Sequence, residues 1–161
     1  MEILTAWNDP GDIVLAFKYL EPSYEVEWRI RAVELLTAII SSDEIDLDED
    51  KTDSILKRLI HLLRKDHASN VRAASAYALG HFSVNEENDN IIIPVLIEAI
   101  KTERIYTVRE LASQALGYRG RGDREITEEL YKLIQYNNEK DPSIRYFAAM
   151  ALLNYEQLSR S

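Results

Sequence analysis

His61, His67 and His81 are the three histidines of this 161-residue chain, and imidazole is the side chain best suited to hold a metal or move a proton near neutral pH. His61 and His67 stand six apart, a spacing that does not put two side chains on one helix face, and neither belongs to an HExxH sequence. There is no cysteine, which excludes a thiolate nucleophile, thiolate metal ligation and a disulfide framework. No GxSxG elbow or GxxxxGK[ST] phosphate loop occurs; Gly117, Gly120 and Gly122 follow a helical stretch and do not open one after a strand. The 28 Asp and Glu residues are so numerous that two will be neighbours somewhere, so closeness alone would not identify an acid–base pair. The sequence therefore offers no catalytic, cofactor-binding or metal-binding residue. The expectation is a protein that is not an enzyme.

Arg119, Arg121 and Arg124 in YRGRGDRE are a cationic cluster that could touch phosphate, or form a solvated loop. Against the first use stand a net charge of −9 and a pI of about 4.9, because affinity for a polyanion needs a basic track that releases counterions. Direct nucleic-acid binding is not expected. The acidity is concentrated: residues 1 to 50 hold 13 acids against 3 bases, and the rest holds 15 against 16. Glu25, Glu27, Glu34 and the run Asp43, Glu44, Asp46, Asp48, Glu49 and Asp50 supply most of those acids, and they suit the steering of a basic partner. The opening MEILTAWNDPGDIVLAF has no basic n-region and no unbroken apolar core, so a signal peptide is not expected. With no apolar run near the roughly 18 residues of a membrane span, the expected location is the cytoplasm.

The elements that must carry these residues are helical. Apolar spacing predicts helices near 11–20, 24–41, 52–65, 69–82, 91–101, 105–118, 124–137 and 142–157, and no stretch alternates as a half-buried strand does. SSDEIDLDEDKTD, from residue 41, is too acidic to pack and reads as an exposed loop, with Thr52 or Asp53 capping the next helix. Aligning Val71-Arg72, Val108-Arg109 and Ile144-Arg145 reveals a repeat. Three residues past the arginine come Ser75, Ala112 and Ala148, six past come Ala78, Ala115 and Ala151, and seven past come Leu79, Leu116 and Leu152. Small residues there let helices approach closely, while the leucines fill the space between units. A period of 36 to 37 signals a solenoid whose units cannot bury their apolar faces alone. Gly80 and Gly117 are expected to end their helices at positive φ. Six residues before each arginine stands an acid: Asp66, Glu103 and Glu139. These read as ties between a helix start and a neighbouring loop. For the first unit, Trp28-Arg29 is the preferred register over Ile30-Arg31, because it places Ala32, Leu35 and Leu36 at the small and leucine positions. The expected organisation is a single domain over 1–161 with repeats near 11–41, 52–82, 91–118 and 124–157.

VRAASAYALG, VRELASQALG, the DPSIRYFAAMALL segment and IIIPVLIEAI with its Pro94 resemble HEAT repeats, of the variety first associated with phycobilisome lyases. The resemblance covers about 50–157 well and 11–41 loosely. It implies an all-α fold, a short right-handed α-solenoid of about four helix pairs. It implies little about function, since HEAT arrays serve as scaffolds, inhibitors, lyase subunits and, in one group, DNA glycosylases.

In such an array the second helices line the concave face, so positions one, five and nine past each arginine predict an exposed stripe. These are Ala73, Tyr77 and His81; Glu110, Gln114 and Tyr118; Tyr146, Met150 and Asn154; with Ile30 and Glu34 from the first unit. Tyrosine supplies large contact area at small entropic cost. The candidate contact core is Tyr77, His81, Glu110, Gln114, Tyr118 and Tyr146. Together with the acids, it points to a non-enzymatic module, an acidic inhibitor or immunity protein for a basic partner such as a bacterial nuclease toxin, acting as a monomer or a heterodimer with that partner. The alternatives are an auxiliary of bilin lyase chemistry or a general HEAT scaffold, and, behind these, a nucleic-acid-binding HEAT protein. No residue set singles out a tetrapyrrole pocket.

Overall fold

The computed structural model describes residues 11–42, 45, 47–83, 86–119, 124–135 and 141–159. The described residues form eight helices and no strand: α1 (Gly11–Tyr19), α2 (Val26–Ile40), α3 (Glu49–Lys65), α4 (Ser69–Leu79), α5 (Glu86–Thr102), α6 (Tyr106–Gly117), α7 (Arg124–Ile134) and α8 (Pro142–Ser159). Each odd helix packs on the even helix that follows it, and the even helices stack in order, α2 on α4, α4 on α6 and α6 on α8. The odd helices touch one another only lightly. This is a short helical-repeat solenoid with a tight layer of second helices and a looser layer of first helices.

The tight layer follows from side-chain size. Ala32, Ser75, Ala112 and Ala148 are buried three past their arginines, as are Leu35, Ala78, Ala115 and Ala151 six past, and Leu36, Leu79, Leu116 and Leu152 seven past. The Ser75 hydroxyl, with no water to reach, donates to the Val71 carbonyl one turn back at 2.8 Å. Glu34 points to solvent in the first unit, and Arg29 makes the carboxylate bond that Arg72 makes in the second, which fits the Trp28-Arg29 register.

The glycines hold their places for a different reason from the one expected. No glycine among the described residues has positive φ; Gly80 caps α4 at φ −67°. A Cβ on Gly80 would stand 2.8 Å from Ala115 Cα and 2.9 Å from its Cβ, so α6 leaves no room for one. Gly117 repeats the contact against the ring of Phe147, at 3.2 Å. Close approach between second helices is the requirement, and the αL conformation plays no part.

The arginines tie more than their own loops. Arg72 donates through Nη1 to the Asp66 carbonyl at 2.9 Å, and Arg109 through Nη1 to the Glu103 carbonyl at 3.3 Å, each closing the turn before its helix. Arg29 does the same to Tyr24. In addition, Arg29 forks onto the Asp66 carboxylate at 3.0 and 3.1 Å, and Arg72 onto Glu103 at 2.7 and 3.1 Å. The acid before one arginine thus receives the arginine of the preceding repeat. Glu139 lies outside the described residues.

Two helix starts differ from expectation. α3 begins at Glu49, capped by Asp48, whose side chain accepts from the Lys51 amide at 2.8 Å. Thr52 and Asp53 are inside the helix, Thr52 bonded back to the Asp48 carbonyl at 3.0 Å and Asp53 paired with Lys57 at 2.5 Å. Acids in a first turn complement the positive helix end, so an acidic run here extends the helix. Ile45 and Leu47 pack against the core, so the connection is not wholly exposed either. α5 begins at Glu86, ahead of the expected 91, and its early turn buries Asp89.

Candidate interaction surface

The open side of the second helices carries an aromatic group. Just past α4, the His81 ring lies 4.4 Å from that of Tyr77 on the helix, and His81 Nδ1 is 3.0 Å from the Tyr77 carbonyl. A carbonyl only accepts, so Nδ1 is the donor in this contact. Tyr118, just past α6, stands 6.2 Å from His81. Tyr77 is 39% exposed and Tyr118 57%. The one-turn spacing of 77 and 81, and the tight seating of α6 on α4 at Gly80, bring the three rings together. Gln114 is half-buried one turn before Tyr118.

Other stripe positions diverge. Tyr146 is 59% exposed but pairs edge-on with its neighbour Phe147 at 5.3 Å. It stands near the start of α8, eight residues earlier in register than Tyr118, about 12 Å along a helix. Glu110 is half-buried at that same level of α6. Ala73 is buried, which corrects its assignment to the open face, while Ile30 and Met150 are half-buried. The Asn154 side chain lies outside the described residues.

The described candidate acids fall at separate places, Glu25 and Glu27 at the start of α2, Glu34 within α2, and Asp48, Glu49 and Asp50 at the start of α3. Glu25, Glu27, Glu49 and Asp50 are exposed, and no cation is paired with them among the described residues. Glu34 is paired with Arg31 at 2.9 Å. Asp48 is paired with Lys51, whose hydrogen bond holds the Asp48 carboxyl below the usual carboxylate range. Asp43, Glu44 and Asp46 lie outside the described residues. α3 and α4 pack on one another across a short turn, so the start of α3, with Glu49 and Asp50, lies toward the same end of the pair as the end of α4.

One member of the arginine cluster, Arg119, is not at the surface. Arg119 is fully buried, with Nε 2.6 Å from Asp89 Oδ1, Nη1 2.6 Å from the Phe82 carbonyl and Nη2 3.2 Å from that of Ser83. Burial pushes its pKa below the ordinary value, and Asp89 opposes that shift. Arg121 and the Arg124 side chain lie outside the described residues. Arg119 therefore joins the end of α6 to α5 and to the end of the preceding pair. The sequence signal was an arginine directly after the helix end, which reads equally well as solvated.

Trp28 was also missed. It stands where Val71, Val108 and Ile144 are fully buried, yet it is 48% exposed and stacks on Tyr19 at 5.3 Å.

A family model described as HEAT repeats matches residues 14–117. The chain belongs to the HEAT-repeat family. Stacked HEAT pairs, each contacting its neighbours, generally build protein-interaction scaffolds with extended open surfaces. Among solved structures, the crystal structure of an engineered protein from a structural genomics consortium is similar over 91% of this chain, at 22% identity and a TM-score of 0.63. This HEAT chain spans 63% of that structure's length, and the likeness is one of fold. No curated protein matches the chain. No helix among the described residues is long and apolar enough to cross a membrane.

Proposed function

We propose that this HEAT array is a non-enzymatic inhibitor of a basic protein, of the kind that would neutralise a nuclease toxin in the cytoplasm. The supporting observations are the exposed Tyr77 and Tyr118 with half-buried His81 against them, and the exposed Glu49 and Asp50, which have no paired cation among the described residues. A nuclease is cationic around its substrate groove, and an acidic protein can occupy that groove with carboxylates in place of phosphates. Long-range attraction then speeds encounter, while the desolvated rings slow departure.

The test is capture of partners on the tagged protein from its source cells at low and high salt, followed by mass spectrometry. A single basic protein released by salt is expected, and its nuclease activity is then assayed with and without the HEAT protein. Recovery of acidic partners, or of partners indifferent to salt, sinks the inhibitor reading. With that partner in hand, Tyr118→Ala is expected to raise the dissociation rate by an amount worth about 1 kcal/mol or more. Glu49→Ser with Asp50→Ser is expected to slow association and flatten its salt dependence. An unchanged salt slope would leave these acids a merely solvated helix start.

A further inference from the structure

Because the first helices touch only lightly, a groove of about 510 Å³ opens between α3 and α5, closed at one end by the α5–α6 turn. That volume falls within the range of natural ligand sites. Its base is apolar, from Leu63, Val95 and Ala99, and Ile105 stands on its rim at 43% exposure. Four cations line it against two carboxylates. Arg64 is paired with Glu98 at 2.5 Å and Arg72 with Glu103 at 2.7 Å, which leaves the surplus on Lys65 and Arg104. Both are exposed, and neither has a carboxylate partner among the described residues. A chain of net charge −9 thus concentrates positive charge at one place, on the edge opposite the aromatic trio.

We propose that this groove docks a short acidic segment of a partner protein, with carboxylates on Lys65 and Arg104 and an apolar side chain laid along Ile105. Charge complementarity selects the acids. The apolar strip between the cations selects a peptide over a bare anion, and the surrounding negative field disfavours the uninterrupted phosphates of a nucleic acid. Two paired arginines hold the walls in place without competing for the ligand, since their own carboxylates already satisfy them. The site is independent of the inhibitor reading and lies at the other ends of the helices.

The test titrates the isotopically labelled full chain with a synthetic peptide of alternating glutamate pairs and leucines at low salt, following backbone amide resonances. Shifts are expected at Lys65, Arg104 and Ile105. Lys65→Gln with Arg104→Gln, exposed changes whose folding is checked by circular dichroism, is expected to weaken binding at least five-fold. Replacing the peptide leucines by serine is expected to weaken it as well, and Tyr118→Ala to leave it unchanged. Absence of shifts at these residues, equal affinity of the double variant, or equal shifts from the serine peptide or inorganic phosphate would each overturn the proposal. So would tighter binding of a single-stranded oligonucleotide at the same residues.

Discussion

Gly80 and Arg119 each depend on a neighbour far away in sequence, and each can be probed by one substitution. At Gly80 an added Cβ meets Ala115 backbone at 2.8 Å, and backbone in a packed helix cannot turn aside. Gly80→Ala is expected to cost about 1–3 kcal/mol in urea unfolding, as overpacking does. Gly117→Ala meets the edge of the Phe147 ring at 3.2 Å, which can swing, so its cost is expected to be smaller. Equal costs would mean that close approach is not what selects glycine here. Arg119→Met removes a buried ion pair with Asp89 and two hydrogen bonds to carbonyls and is expected to cost about 3–5 kcal/mol. Adding Asp89→Leu is expected to recover most of that loss, because a buried pair replaced by apolar groups is often nearly neutral. A double variant no better than the single one would show that the carbonyl bonds of Arg119, and not its ion pair, carry the stability.

At the level of the helix pair, the arginine ladder makes stability sensitive to acid. Hydrogen bonds from Arg72 hold the Glu103 carboxyl below the usual carboxylate range, against the opposing effect of burial. Lys101 and Lys132 act in the same direction on Glu129, at the α5–α7 contact. A depressed carboxylate stabilises the fold fully above its unfolded pKa, about 4.3 for Glu, and loses that contribution as pH falls through its lower folded value. The melting temperature is therefore expected to drop as pH is lowered from about 5 to 3. Glu103→Gln, already lacking the ionised group, is expected to show a shallower drop. A variant that falls as steeply as the parent would place the acid sensitivity elsewhere.

Across the whole molecule, the same ladder joins one repeat to the next, Arg29 to Asp66 and Arg72 to Glu103. In a linear array each unit is stabilised by its own fold and by its neighbours, so weakening one junction loosens the coupling between the two sides. Arg72→Met is expected to broaden the urea transition and lower its apparent m-value, with amide exchange in α1–α3 and α6–α8 no longer rising together. A transition that shifts without broadening would mean that the stacked Ala and Leu layers alone hold the array together. The charge placement also belongs to this scale: Glu49 and Asp50 stand at the start of α3, and Lys65, in the α3–α5 groove, at its end.

Much of this architecture follows from local pattern. The helix spans, the Arg29 register and the small and leucine positions were legible because helical periodicity and the repeat are properties of neighbouring residues, and a solenoid is built from near neighbours. Tyr77 and His81 were legible as companions for the same reason, four residues apart at the end of one helical stretch. Their meeting with Tyr118 needed the stacking of α6 on α4. The early starts of α3 and α5 were hidden because a polar run reads as a loop until its partners are known, and the partner of Asp89 is Arg119, 30 residues on. Arg29 and Asp66, 37 apart, give no signal of which acid each arginine will choose. Sequence periodicity thus determined the helices and the faces they bury. Tertiary structure decided which charges are buried, why glycine is required at Gly80 and Gly117, and where a groove opens, because those depend on distances between layers that no local pattern contains.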